Sequence, residues 1–295
     1  MDLVSVLEEA GLQKLKETSK GYTCLCPYHD DKKVGSFFIS LEKGIVKCFA
    51  CGTGKSLYNF LMEMNVSFWV AIDYAFRGYT KEQKELEEQK ELILGRDIPK
   101  SLLVRGFEIE TLQYFGVGYD RYEKRITVPM QFDGKLYGVK YRKYPKEFWY
   151  SDGFHKEQFI YNYEPTEERI YCEGESSTWM TWQNGSKNVS ANLGSQVSEQ
   201  QAELMSKHKV LLLAYDNDIA GYRATFSAIE KLKYDCEIYV VGYGADDPGC
   251  CPAEEWLRAV KNPMTSIEFD LRLEKAAPEI YAELTINKKK TWKQQ

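Results

Sequence analysis

The sequence predicts a chain of mixed class, α+β passing into α/β, on three observations. A stretch rich in cysteine and glycine lies near the start, short aromatic and β-branched runs broken by turn signals fill the middle, and strand-like and helix-like segments alternate after that. With 295 residues, 43% hydrophobic and 28% charged, it reads as a water-soluble globular chain with room for two modest domains or one large one. The longest apolar runs, Val210 to Ala214 and Ile238 to Val241, are of strand length and far short of the roughly 20 residues a membrane helix needs. The opening residues mix acids, bases and short apolar spacings and lack the pattern of a secretion signal, so a cytoplasmic location is expected. Lys and Arg number 39 against 44 Asp and Glu, a net charge of -5. That balance excludes a protein that coats nucleic acid by bulk charge and leaves room for a local basic groove.

In chain order, Leu3, Val6, Leu7, Leu12 and Leu15 predict a short amphipathic helix. Gly21 to Gly54 reads as short strands and knuckles, and Leu57, Phe60, Leu61, Met64, Trp69, Ile72 and Phe76 recur at helical spacing. Residues 81–91, KEQKELEEQKE, carry almost no apolar face and read as a solvated helical connector. Residues 96–165 predict an antiparallel region with a turn at Phe132-Asp133-Gly134-Lys135. Beyond Arg169, strands at Ile170 to Cys172, Val210 to Tyr215 and Glu237 to Tyr243 alternate with helices over Ser198 to Ser206 and Tyr222 to Leu232, the pattern of a mainly parallel sheet. The tail, ending in Lys288-Lys289-Lys290, reads as one or two weakly packed helices. The expected divisions are 1–76, a connector 77–95, 96–167, 168–261 and a tail 262–295.

Cys26-Pro-Tyr-His29 is followed after an eighteen-residue gap by Cys48-Phe-Ala-Cys51. Each two-residue spacer lets a turn aim both ligands at one ion, and three thiolates with one imidazole suit one closed, tetrahedral, structural Zn²⁺ site. Cys24 is a neighbour, since Cys-x-Cys chelates poorly. Gly52-Thr-Gly-Lys-Ser56 resembles part of a phosphate loop, but Phe49 stands where the first glycine is needed.

Three acidic positions each follow a strand-like run: Glu173, Asp216 with Asp218, and Asp247. Ligands of open α/β sheets bind at such carboxyl ends. Extended geometry puts Asp216 and Asp218 on one side, and with Glu173 they form an oxygen-rich cluster of the kind Mg²⁺ prefers. Gly174 and Ala220-Gly221 fit close approach of a ligand. From Arg125 to Lys156 there are seven Lys or Arg and three Asp or Glu. Such a local basic patch suits phosphate contacts, with Tyr137, Tyr141, Tyr144, Phe148 and Trp149 interleaved as either sheet core or base-stacking rings.

Taken together, these segments resemble a family. Cys26-Pro-Tyr-His29, Ser36-Phe37-Phe38, Lys47-Cys48-Phe-Ala-Cys51-Gly and Asn59-Phe60-Leu61 are similar to the zinc ribbon of DnaG-type DNA primases, the CHC2 type. Tyr171-Cys-Glu173-Gly174, Asn192-Leu-Gly194, Ala214-Tyr-Asp216-Asn-Asp218-Ile-Ala220-Gly221 and Asp246-Asp247-Pro248-Gly249 resemble the Toprim domain of the same family. Between them, Arg125-Ile-Thr-Val-Pro129, Gly138-Val-Lys140-Tyr-Arg142 and Lys146 through Lys156 resemble the start of the primase polymerase core.

The resemblance implies a zinc-ribbon DNA-binding domain, then a primase core with an antiparallel N-terminal subdomain and a Toprim α/β domain. It implies synthesis of short RNA primers on single-stranded DNA from ribonucleoside triphosphates, with a replicative helicase acting in trans and no membrane. Glu173, Asp216 and Asp218 would hold catalytic Mg²⁺ or Mn²⁺, with Asp247 as a fourth acid. Arg125, Lys140, Arg142, Lys146 and Lys156 would handle nucleotide, template or primer phosphates. The chain departs from the family at Ser177 and Gly249, where acids are usual. It ends soon after the Toprim region, which suggests a compact bacteriophage-like form without a helicase domain. The rivals are a non-catalytic zinc and Toprim DNA-binding adaptor or degenerate primase, and a Toprim nuclease or topoisomerase.

Overall fold

A computed structural model describes residues 3–41, 43–77, 97–143 and 147–291. It divides into two units, one of Met1–Asp97 with Val117–Gln158 and one of Ile98–Gly116 with Phe159–Gln295. The expected connector at 81–91 lies outside the described residues.

The first unit opens with α1 (Leu3–Glu9), which buries Leu3, Val6 and Leu7 along one stripe. The helix stops earlier than the leucine spacing implies, because Gly11 takes a φ of 88° and turns the chain before Leu12. Five antiparallel strands follow in chain order: β1 (Lys16–Thr18), β2 (Gly21–Cys24), β3 (Phe37–Ser40), β4 (Ile45–Cys48) and β5 (Gly54–Ser56). Phe37, Ile39, Val46 and Cys48 alternate to the buried side. At the β1–β2 turn only glycine fits, since a Cβ on Gly21 would stand 2.0 Å from the Ile39 carbonyl oxygen. Ser56 caps α2 (Leu57–Glu63) by accepting from the Asn59 N–H, and α3 (Phe68–Arg77) follows. The single helical periodicity of the sequence is thus two helices, broken where Asn65 takes a φ of 59°.

The same unit holds a second antiparallel sheet, strands β6 (Gly118–Asp120), β7 (Arg125–Phe132), β8 (Lys135–Lys143) and β9 (Glu147–Tyr150) in that order. The β7–β8 hairpin turns on Asp133 and Gly134, whose φ values of 49° and 74° are those the Asp-Gly signal demands. Its buried residues include Val128, Met130, Leu136 and Val139. Asp73 of α3 joins the two parts of this unit, accepting from Lys135 Nζ at 3.0 Å and from the Tyr137 hydroxyl.

The second unit begins with α4 (Lys100–Val104) and α5 (Ile109–Tyr114). Then come β10 (Glu168–Cys172), α6 (Glu175–Gln183), β11 (Val189–Ala191), α7 (Glu199–Met205), β12 (Val210–Leu213), α8 (Ile219–Leu232) and β13 (Glu237–Val240). The chain closes with α9 (Ala253–Lys261), β14 (Met264–Thr265), α10 (Ser266–Ala276) and α11 (Pro278–Thr291). Strand order is β11-β10-β12-β13-β14, parallel except for β14. Because β11 and β12 flank β10 on opposite sides, the winding reverses beside β10, and the crevice for a ligand opens at its carboxyl end. Ile170, Cys172, Leu212, Ala214, Val241 and Trp256 share the core of this sheet.

Two expectations are adjusted here. The ladders of β12 and β13 end at Leu213 and Val240, short of Tyr215 and Tyr243, and the chain beyond carries the acids. The tail is seated through Phe269 and Leu273 of α10, with Phe226 of α8 5.7 Å from the Phe269 ring, and the edge strand β14 had no signal in the sequence. Among the described residues no helix is long and apolar enough to cross a membrane.

Candidate metal centres

The first knuckle leaves β2 and the second straddles the end of β4, so the β3–β4 hairpin brings the two turns face to face. One ligand atom each from Cys26, His29, Cys48 and Cys51 lies within 4.8 Å of the others. Cys26 Sγ and Cys51 Sγ are 3.9 Å apart, close to the roughly 3.8 Å that two thiolates span across a tetrahedral zinc. His29 Nδ1 is buried with no hydrogen-bond partner among the described residues, as a nitrogen reserved for an ion would be. The Cys48 sulfur accepts from the Ala50 and Cys51 N–H groups, each at 3.4 Å. Burial, with Cys48 and Cys51 close by, pushes Cys26 up to about 12, whereas hydrogen bonds with Thr53 bring Cys51 down to about 6. A bound divalent cation supplies the positive charge that lets three adjacent thiols ionise.

The donor set therefore fits zinc. Cys24 lies outside the cluster as a buried core thiol, pushed up to about 12 by that burial. Sequence reading overlooked Asp31, which accepts from the Cys26 N–H at 2.9 Å and from the Ser36 hydroxyl and stands 4.0 Å from His29 Nε2. Such a carboxylate orients the ligands it touches. Tyr28, between the first two ligands, donates its hydroxyl to Glu63 of α2 at 2.7 Å, and Lys55 pairs with the same carboxylate at 2.6 Å.

In the second unit Glu173 follows β10 directly, Asp216 and Asp218 follow β12, and Asp247 lies beyond β13. The Asp216 carboxyl is pushed up to about 7, first by burial and then by the charges of Glu173, Asp247 and Asp218. The acids that follow three separate strands thus lie within range of one another's charge, while among the described residues the ligand atoms that converge within 4.8 Å are those of the ribbon. Asp216 Oδ1 is buried and has no hydrogen-bond partner among the described residues, which fits a lone pair kept for a cation. Asp218 and Asp247 also serve locally: Asp218 caps α8 by accepting from the Gly221 N–H at 2.8 Å, and Asp247 accepts from the Cys250 N–H at 3.1 Å. A Cβ on Gly221 would lie 1.9 Å from the Asp216 carbonyl oxygen, so only glycine lets α8 start this close.

Three further residues hold or flank this cluster, and the first and last went unnoticed in the sequence. Asn217 ties the β12 loop to the β13 loop through its side-chain amide. Gly194 donates its N–H to the Glu173 carbonyl at 3.1 Å, after Leu193 takes a φ of 59°. Arg105, following α4, lies near enough to Cys250 for its charge to act on the thiol. A lone Asn or Arg carries no periodic signal, so only the fold reveals them.

The basic residues fall on both faces of the second antiparallel sheet. Lys140 and Arg142 alternate onto one face of β8, where Lys140 Nζ is 4.5 Å from the Phe148 ring centre. Ile126 pairs with Arg142, so Arg125 belongs to the opposite face, 4.0 Å over the Tyr141 ring and 3.2 Å from Asp120. Lys156 lies in a short 3₁₀ turn, and Lys146 and Tyr144 lie outside the described residues. Tyr137 and Tyr141 are buried, whereas Phe148 is 59% and Trp149 37% exposed.

A four-ligand zinc ribbon in one unit and an acid-bearing parallel sheet in the other define a class of protein, and comparison with known families agrees. Residues 1–91 match the CHC2 zinc finger family and residues 170–248 a Toprim-like family. The DNA primase of Clostridium acetobutylicum is 24% identical, over 91% of this chain and 58% of that protein. The DNA primase of Geobacillus stearothermophilus is also 24% identical, over 88% of this chain and 56% of that protein. The chain thus spans little more than half the length of these relatives. The crystal structure of the zinc-binding and RNA polymerase domains of the Aquifex aeolicus primase superposes with a TM-score of 0.54 at 22% identity, covering 96% of this chain and 88% of that one. A DnaG primase catalytic domain bound to single-stranded DNA gives 0.52 at 17% identity, over 68% of this chain and 91% of that one, a likeness of fold. The chain thus carries a CHC2-type and a Toprim-like segment and is similar, at about a quarter identity, to DNA primases of the DnaG type.

Proposed function

We propose that this protein is a DNA primase that makes short RNA primers on single-stranded DNA by metal-dependent nucleotidyl transfer. The observation that carries the proposal is the buried, unpartnered Asp216 Oδ1 among Glu173, Asp218 and Asp247 at the carboxyl end of a parallel sheet. In this reading those four acids hold Mg²⁺ or Mn²⁺. Bound cations of this kind supply charge neutralisation to phosphates and activate a hydroxyl nucleophile.

The rest falls to the chain's own side chains. Asp216 gives up its proton when a cation binds. Gly174 has open space where a side chain would stand, so a phosphate can approach the backbone beside Glu173. Lys140, Arg142, Lys146 and Lys156 contact the phosphates of nucleotide, template or primer, Arg125 is held by Asp120 on the other face of the sheet, and Arg105 adds a cation near Cys250. Exposed Phe148 offers a ring to an unpaired base. The zinc ribbon holds template, and a replicative helicase is a partner in trans. No side chain is assigned as general base.

The test is incubation of the zinc-loaded protein with single-stranded DNA of mixed sequence, labelled ribonucleotides and Mg²⁺ or Mn²⁺, with products resolved on a denaturing gel. Short template-dependent RNA, lost in Asp216→Ala, is expected. DNA binding without products under either metal, even with a helicase added, would replace the enzyme with a DNA-binding adaptor.

A further inference from the structure

Within the first unit, the ribbon and its helices meet the β6–β9 sheet at two places. At the first, Asp73 of α3 accepts from Lys135 Nζ at 3.0 Å and from the Tyr137 hydroxyl. The Asp73 side chain is 13% exposed and Tyr137 2%. A carboxylate and a phenol held so far from water each need a polar partner, and here each serves the other. At the second place, Gly44 of the β3–β4 turn takes a φ of 59°, and a Cβ there would stand 3.4 Å from the Gln158 side-chain amide. Gln158 is buried at the end of the 3₁₀ turn that follows the sheet.

The sheet is irregular where Asp73 meets it. Gln131 pairs with Leu136 and Met130 with Gly138, so Tyr137 is an extra residue of β8 with no partner across the β7–β8 ladder. A bulge of this kind re-aims the side chain it carries, and the Tyr137 hydroxyl goes to α3. On that helix Ala71, Ile72 and Tyr74 flank Asp73 and are buried. An ion pair, a phenol re-aimed by a bulge and a glycine turn set against a glutamine thus join parts of the chain that are distant in sequence.

We propose that Asp73 is the catch of a latch, which seats the zinc ribbon on the β6–β9 sheet through Lys135 and the bulged Tyr137. The ribbon then serves the sheet of its own chain, and the seat holds without the connector between them. The acid cluster belongs to the other unit and has no part in this.

The test cuts the connector and asks whether the ribbon stays. A protease site flanked by glycines is inserted between Lys84 and Glu85 of the full, zinc-loaded chain, which is cleaved and passed over a sizing column at falling concentration. The ribbon half is expected to stay with the rest of the parent protein, and to part from it at about tenfold higher concentration in Asp73→Lys, where a second ammonium faces Lys135. Adding Lys135→Asp to that variant should recover most of the difference. Tyr137→Phe keeps the ring, removes one donor and should loosen the seat about threefold; it decides the matter if zinc content or circular dichroism shows that the charge reversal disturbs the fold. Parting at the same concentration in the parent and in the correctly folded variants would overturn the latch.

Discussion

Asn217 and Ala245 are joined by a hydrogen bond of 2.6 Å from the side-chain amide of one to the carbonyl of the other, and the same amide reaches the Tyr243 carbonyl at 3.0 Å. The Asn217 N–H also donates to the Asp246 carbonyl at 2.7 Å. The residue between Asp216 and Asp218 therefore fixes the loop that carries Asp247. Asn217→Ala is expected to cost the second unit about 1–3 kcal/mol, because two carbonyls lose their donor. It should also weaken Mn²⁺ binding about tenfold, as loss of an outer-shell partner does. Urea unfolding and a Mn²⁺ titration of the same variant measure the two effects; unchanged Mn²⁺ binding would show that the loops hold the acids without this bridge.

The zinc ribbon gives a second expectation. Its core is small, and the ligand cluster closes the two knuckles on each other, so metal binding and folding of the ribbon are linked, with apparent binding free energies of roughly 10–16 kcal/mol in comparable sites. Strong chelation, or Cys48→Ala, should unfold the ribbon while the second unit stays folded. Circular dichroism shows partial loss of structure, and limited proteolysis should leave a fragment that contains residues 159–291.

Tyr28 links that cluster to a helix. Its hydroxyl donates to Glu63 at 2.7 Å, while its ring lies 6.2 Å from Phe37 and 6.4 Å from Phe60. Tyr28→Phe keeps the packing and removes one hydrogen bond to a carboxylate, a loss of about 1 kcal/mol at this partly exposed position. Zinc transfer to a colorimetric chelator is expected to be several-fold faster in Tyr28→Phe than in the parent protein. Equal transfer rates would mean that the ring alone holds the knuckle.

Where the fold was legible, the signal was local. The two knuckles and Asp-Gly at the β7–β8 turn depend on residues adjacent in sequence, and the structure assembles both; the strand-then-acid pattern is equally local, and each acid comes after its strand. The helix stops at Gly11 and Asn65 were harder to read, because positive φ at those positions overrides an apolar spacing that continues through them. The two-residue strand β14 escaped because it is paired by backbone alone. The basic patch was legible as a count but not as a surface: the pleat that puts Lys140 and Arg142 on one face sends Arg125 to the other.

His208 sets an acid limit on the second unit. Its Nδ1 lies 2.6 Å from the Thr166 carbonyl and its Nε2 3.1 Å from the Tyr171 hydroxyl, so the neutral ring donates from Nδ1 and accepts at Nε2. Burial holds its pKa below the usual histidine value. The unfolded chain therefore binds a proton near pH 6.5 that the folded chain refuses, and stability rises with pH through this range. The contribution is complete above the unfolded value and is lost as pH falls from there through the lower folded value. Urea midpoints should drop between about pH 7 and pH 5, and His208→Gln should flatten that dependence. An equally steep fall in the variant would assign it to other groups.

The two faces of the β6–β9 sheet give the proposed phosphate contacts and the Arg125 ion pair different expectations. Lys140 and Arg142 share a face with exposed Phe148, whereas Arg125 is paired with Asp120 at 3.2 Å and covers the buried Tyr141 ring. A lysine on a phosphate contributes about 0.7 to the salt slope of single-strand binding, and a stacked base about 1–3 kcal/mol. Lys140→Ala is therefore expected to flatten the slope of single-stranded DNA affinity against salt, and Phe148→Ala to weaken binding without changing that slope. Arg125→Ala should lower the slope less and cost stability instead, because it leaves Asp120 without its cation. Fluorescence anisotropy of a labelled oligonucleotide over a salt series gives all three. Equal slope changes for Lys140→Ala and Arg125→Ala would mean that nucleic acid passes over both faces of the sheet.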